Sequence, residues 1–266
     1  MNTVTFNTSG KNALVTGSNS GIGLAIATKF AENGINVIIN SYTDNLEDHA
    51  LAKQLQDQTG SNVYYIKADL SKPEECRQLV KKANEKLGSV DILVNNAGVQ
   101  HVAPIEDFGS DNWERVVSID LSAAFHATAE VLPIMRKNGW GRIVNTASVH
   151  GLKASPHKIA YVSSKHGIVG FTKAVAVETG PEPITCNAIC PGVVKTDMVM
   201  GQLEDQMKAT KLSREEVMEN VFFSRVPSKD FVLPEQLAAA TMFLCSNDAA
   251  QITGVALPVD GGITAF

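Results

Sequence analysis

Short runs rich in valine and isoleucine alternate along the whole chain with longer stretches of helical spacing. The runs at residues 13–16, 36–40, 63–67, 92–95, 141–146, 184–190 and 255–258 predict strands. Helical stretches begin near Gly21, Leu46, Glu74, Asn112, Ile159 and Pro234. Strands separated by helices are the mark of βαβ units, because parallel neighbours need a crossover long enough to hold a helix. No linker, low-complexity tract or internal repeat divides the 266 residues. The pattern therefore predicts one α/β domain over 1–266, built on a doubly wound parallel sheet.

Residues 195–233 break this rhythm. They hold Met198, Met200, Met207 and Met218 among charged residues and show no strand pattern. Such a stretch reads either as a surface helical hairpin or as a mobile lid whose methionines adapt to a ligand. It follows the C-terminal end of a strand, where open α/β sheets bind ligands, and is taken as a helical substrate lid.

Composition adds mainly exclusions. With 44% hydrophobic and 19% charged residues the chain suits a soluble globular protein. A formal net charge of −5 offers no basic footprint, so no nucleic-acid partner is expected. No apolar run approaches the roughly 18 residues of a membrane span, and the first ten residues carry no secretory pattern. Cys186 and Cys190 fall in one predicted strand, where their separation of roughly 13 Å is too long for a bridge or a shared metal. With Cys76 and Cys245 they are expected to be free buried thiols in a reducing cytoplasm, and no metal site is expected.

Two groups of residues carry chemistry. Gly17, Gly21 and Gly23 follow an apolar strand and open a helix, an arrangement that lets backbone amides approach a pyrophosphate. Tyr161 and Lys165, four residues apart on one helix, project from the same face. An ammonium held beside a phenol favours the phenolate, which makes the pair usable for proton transfer. Ser148 lies upstream as a second donor for a developing alkoxide.

Thr16-Gly-x-x-x-Gly-x-Gly23, Asn95-Asn-Ala-Gly98, Ser148, Tyr161-x-x-x-Lys165 and Pro191-Gly192 occur in this order. On these motifs the chain resembles the short-chain dehydrogenase/reductase family from about Lys11 to Gly262. The resemblance implies a Rossmann-type sheet and a homotetramer. It also implies a nicotinamide cofactor held by Gly17, Ser18, Asn19, Ser20, Gly21, Ile22 and Gly23. Asp69 and Leu70 would lie beside the adenine, and Asn95, Ala97 and Gly98 beside the central sheet. Tyr161 and Lys165 would hold the ribose end, with Pro191, Gly192, Val193, Val194 and Thr196 on the nicotinamide side. Tyr161 is then the acid/base, Ser148 binds the reacting oxygen, and Lys165 supports both.

One position departs from the pattern. The family usually carries an asparagine in a proton relay where this chain has Ile119-Asp120-Leu121. Ionised aspartate accepts hydrogen bonds but donates none, and its charge opposes the effect of the lysine. Asp120 is grouped with Ser148, Tyr161 and Lys165 as the catalytic set. The substitution is also the one feature that favours a silent cofactor-binding sensor.

After the second predicted strand, Asn40-Ser41-Tyr42-Thr43-Asp44 contains neither a cation for a 2′-phosphate nor an acid at the strand end. The absence of a cation favours NAD. The surroundings of Asn95, Ser148 and Tyr161 are similar to those in family members that interconvert (R)-3-hydroxybutyrate and acetoacetate. That similarity implies a carboxylate bound by Gln100, His150, Lys158 and Gln202, with Ser148 and Tyr161 on the hydroxyl. Val193 stands where those members are expected to carry a bulky aromatic. The alternative is another NAD-linked reductase of a small ketone, polyol or acyl substrate.

Overall fold

The strands form because their residues are apolar on both faces. Ala13, Val15, Val37, Ile39, Ile92 and Val94 point to one side of the sheet and Leu14, Ile38, Leu93 and Ile143 to the other, all fully buried. The computed structural model describes residues 8–196, 199–201, 203, 207 and 210–265. Its strands are β1 (Asn12–Val15), β2 (Asn36–Ser41), β3 (Val63–Lys67), β4 (Ile92–Asn95), β5 (Gly141–Thr146), β6 (Ile184–Pro191) and β7 (Ala256–Val259). They pair in parallel in the order β3-β2-β1-β4-β5-β6-β7. The order reverses between β1 and β4, and ligands of such sheets bind in the crevice outside the strand ends at that point.

Helices α1 (Gly21–Glu32), α2 (Leu46–Thr59), α3 (Pro73–Leu87), α4 (Ser110–Val117), α5 (Ala123–Asn138) and α6 (Ile159–Glu178) are followed by α7 (Arg214–Val217) and α8 (Pro234–Cys245). Ile26 and Phe30 of α1 pack with Leu237 and Met242 of α8 on one face. Leu79 of α3 packs with Val131 and Met135 of α5 on the other. Burying each such side chain contributes about 1.5–3 kcal/mol.

Two predictions from the pattern need correction. The helix placed near Asn112 starts at Ser110 and is divided, because a wide turn over Ser118–Ser122 separates α4 from α5. That turn carries Asp120 into the interior, where it is 3% exposed. The segment 195–233 is not free of strand pairing: Val194 bridges Val232 in parallel, with Lys195 N–H donating to Val232 O and Val232 N–H to Val193 O. Its base is therefore tied to itself, and α7 within it is fixed by a capping box between Ser213 and Glu216. Helix α3 begins at Pro73, beside the expected Glu74, because proline suits the first helical turn.

Candidate active site

The loop between β1 and α1 and the turn after β4 are interlocked. Gly17 has φ 58°, and a Cβ there would lie 2.8 Å from Ala97 Cα. A Cβ on Gly23 would meet Gly17 O at 2.3 Å and Asn96 Nδ2 at 2.5 Å. The space that glycine leaves open is taken by Asn96, whose amide donates to Thr16 O at 3.0 Å and Gly17 O at 2.9 Å. Thr16 Oγ1 in turn accepts the backbone N–H groups of Asn96 and Ala97. At the start of α1, Ser20 makes no side-chain cap and the first turn holds no acidic residue. Its outward N–H groups remain available to an anion. Thr196 stands beside this turn, its methyl 3.6 Å from where Gly21 would carry a Cβ.

Ser18 is buried and structural: it donates to Val15 O and accepts from Asn40 N–H. Asn19 donates to Asp48 Oδ1 at 3.0 Å, and Thr43 donates to Asp48 Oδ2 at 2.7 Å. Asp48 is only 5% exposed, yet although burial works against its charge, the donors from Thr43, Asn19 and Asn45 hold it below the usual carboxylate range. Asp69 accepts from Ser71 N–H and Oγ–H at the approach to α3, while Leu70 is packed into the core. Asn95 donates to Asn145, which donates to Thr172, so its amide ties β4, β5 and α6 together.

The second half of the site lies at the ends of β5 and β6. Helix α6 carries Tyr161 and Lys165 one turn apart, with Lys165 Nζ 5.4 Å from the Tyr161 ring centre. Lys165 is 3% exposed and donates to Thr146 O at 3.0 Å. Its Nζ lies 3.3 Å from Asp120 Oδ2, while Asp120 Oδ1 accepts Val99 N–H at 2.7 Å. Burial pushes the Asp120 carboxyl up against the pull of Lys165. Burial alone would lower the Lys165 ammonium, but the Asp120 charge raises it above its ordinary value. Gly98 makes room for the pair: a Cβ there would be 3.1 Å from Asp120 Oδ2.

Ser148 is 6% exposed and accepts His150 N–H at 3.1 Å. The His150 ring places Nδ1 3.4 Å from Ser148 Oγ and Nε2 2.8 Å from Ser155 Oγ, and it lies 5.9 Å from the Tyr161 ring at a steep 70°. Burial, then the charges of Lys158 and Lys153, bring His150 down to about 4. Lys158 precedes α6 and is half-buried, with burial the sole influence lowering its ammonium. Gln100 is exposed after the β4 turn, and Gln202 lies outside the described residues. Beneath this corner Val149, Phe223, Val226 and Ile263 form an apolar cluster, with Val193 packed against it. Asp260 anchors the last part of that cluster by accepting from Gly262 N–H and Thr264 N–H. Its backbone also backs Gly192, where a Cβ would lie 2.7 Å from Asp260 Cα.

A family model described as short chain dehydrogenase matches residues 11–207. The chain belongs to the short-chain dehydrogenase family. As a short-chain dehydrogenase it is an oxidoreductase that uses a nicotinamide cofactor, and the open α1 terminus and the glycine cradle fit such a dinucleotide. A D-beta-hydroxybutyrate dehydrogenase of Cupriavidus necator is 47% identical over 253 residues, covering 95% of this chain and 97% of that protein. One of Rhizobium meliloti is 44% identical over 255 residues, covering 96% and 99%. Among solved structures, an actinorhodin polyketide ketoreductase variant crystallised with NADPH superposes with TM-score 0.89 at 35% identity, covering 96% of this chain and 98% of that one.

Sequence reasoning missed Asn96, Asp48, Ser155 and Asp260. Asn96 sits inside the quoted Asn-Asn-Ala-Gly turn and its doubled amide was the signal. The Asn45-x-x-Asp48 spacing signals a helix cap, but nothing in the sequence links it to Asn19. Ser155 and Asp260 have no sequence signal at all.

Proposed function

We propose that this protein interconverts (R)-3-hydroxybutyrate and acetoacetate with NAD as its cofactor. The observation that carries the proposal is Lys158, a half-buried ammonium one helical turn before Tyr161. An ammonium partly stripped of water favours an anion beside the reaction centre, which a hydroxy acid supplies and a simple alcohol does not. The 44% and 47% identities to proteins named D-beta-hydroxybutyrate dehydrogenase support the same substrate.

When bound, the nicotinamide supplies the hydride exchange at the carbon bearing the hydroxyl. Ser148 and Tyr161 would hold the oxygen on that carbon, with Tyr161 taking the proton in oxidation and returning it in reduction. Lys165, fixed by Thr146 O and Asp120, keeps a positive charge beside the phenol. Gln100, His150 and Lys158 would receive the carboxylate; Gln202, the fourth residue expected there, lies outside the described residues.

The NAD reading is supported by charge. The β2 end carries no cation, and the ionised Asp48 stands behind Asn19 in the glycine loop. A 2′-phosphate brought to that corner would meet repulsion and no arginine or lysine. A cytoplasmic homotetramer completes the proposal, consistent with four buried thiols and with exposed Trp113 and Phe125 on the α4–α5 surface.

The test is NADH formation by the purified enzyme with the two enantiomers of 3-hydroxybutyrate, 2-hydroxybutyrate and 2-butanol. The (R)-3-hydroxy acid should give the highest kcat/KM. A preference for 2-butanol, or no turnover of either 3-hydroxy acid, would overturn the proposal.

A further inference from the structure

We infer that His157 is a positioning residue: its left-handed backbone turn, and not its imidazole, sets the Lys158 side chain beside the reaction centre and ties it to the loop that carries Gln100. The inference rests on the proposed reading of Gln100, His150 and Lys158 as the carboxylate clamp. His157 has φ 62°, a region that glycine enters freely and that other residues enter seldom, histidine among the more tolerant. Such a conformation persists only where its surroundings over-determine it.

Here the chain is held on both sides of the turn. The His157 carbonyl accepts Ala103 N–H at 3.0 Å, and the Lys158 carbonyl accepts Val162 N–H at 2.8 Å as α6 opens. Two residues earlier, Ser155 Oγ touches His150 Nε2 at 2.8 Å. All three clamp residues therefore hang on this short loop. Lys158 follows His157 directly, His150 meets the loop through Ser155, and Gln100 lies three residues before Ala103. Beside the Ala103–His157 bond the two loops stand apart across a cavity of about 320 Å³, lined by Pro104, Ile105, Glu106, Pro156 and Ile159. The backbone bond spans a place where the loops leave space between them.

The His157 imidazole is exposed, faces the same cavity, and forms no hydrogen bond or ion pair among the described residues. Its contribution is the turn itself. A side chain branched at Cβ resists this φ, so the turn would relax, the Ala103 bond would open and Lys158 would swing toward water. Losing a carboxylate ligand in this way raises KM for the acid at nearly constant kcat, whereas damage to Tyr161 lowers kcat.

The experiment compares His157→Gly with His157→Val by steady-state kinetics on (R)-3-hydroxybutyrate and 2-butanol, and by NMR titration of the Lys158 side chain. Glycine keeps the turn, so kcat and KM should stay within about twofold of the wild type. Valine should raise KM for the acid about tenfold at nearly constant kcat, and leave KM for NAD and turnover of 2-butanol unchanged. In the valine variant the Lys158 ammonium leaves its half-buried place, and its titration should move up to that of an ordinary lysine. A glycine variant as impaired as the valine variant would assign the effect to the imidazole and overturn the inference. So would a valine variant with an unchanged KM, or one that loses kcat alone. If the wild type prefers 2-butanol, the carboxylate reading fails, while the Lys158 titration in the two variants still decides whether the turn places that side chain.

Discussion

Asp120 and Lys165 form an ion pair inside the protein, 3.3 Å apart with side chains 0% and 4% exposed, yet Asp120 Oδ2 has no aligned hydrogen-bond donor. The pair is held by charge more than by directed bonding. Its carboxylate offsets part of the positive field that Lys165 would otherwise exert on Tyr161.

Asp120→Asn should therefore separate stability from activity. Asparagine can still accept Val99 N–H, and Lys165 keeps Thr146 O, so turnover should stay within about one order of magnitude. The uncompensated ammonium then favours the phenolate more strongly, and the ascending limb of the kcat/KM profile should move to lower pH. Stability should fall by about 3 kcal/mol, because one buried charge loses its partner. Thermal unfolding and a pH–rate profile check both; a profile moved to higher pH contradicts the charge argument.

Lys158→Ala should lower kcat/KM for 3-hydroxybutyrate roughly ten- to a hundredfold, the effect of losing a donor to a charged group worth about 1.5–3 kcal/mol. Turnover of 2-butanol, poor from the start, should change much less. Equal losses on acid and alcohol would show that Lys158 does not hold a carboxylate.

Cofactor choice can be read at Asp48. Wild-type kcat/KM with NAD should exceed that with NADP by at least about tenfold, roughly 1.4 kcal/mol. Asp48→Asn keeps the α2 cap but removes the charge behind Asn19, and the ratio should narrow several-fold, mainly through the KM for NADP. A ratio that does not respond places the discrimination elsewhere along the β2 end.

The acid side of the stability curve should carry the signature of His150. Folded, the ring stays neutral down to about 4; unfolded, it protonates near 6.5. Between these values the unfolded chain binds the extra proton, so stability falls as pH drops through this window and is complete above it. The contribution is at most about 3 kcal/mol, reduced because His150 is only partly buried. His150→Gln should flatten the decline in urea midpoint between these pH values, and an unchanged slope would assign it to other groups.

The sheet was legible because its central strands are apolar on both faces, and runs such as Ile92–Asn95 admit little else between helices. The glycine cradle and the Tyr161–Lys165 pair were legible because their function depends on fixed spacing within one element. What escaped were contacts between elements. Asp48 reaches Asn19 across 29 positions, and a helix cap reads the same whether or not its carboxylate has a second partner. The split between α4 and α5 also escaped, since one extra residue in a helical turn leaves the apolar pattern almost unchanged.

Ile263 packs against Val149, and Lys153 donates to the Ile263 carbonyl across 110 positions of sequence. A ribosome delivers the strands and loops of the nucleotide cradle, from Thr16 to Gly98, long before it delivers Ile263. Yet helix α1 of that cradle leans on Leu237 and Met242 of α8, just as the Ser148 corner leans on the cluster that holds Ile263, so both halves wait for the last stretch of chain. Binding and reacting mature together, and a chain cut short before residue 234 would lose the support of both.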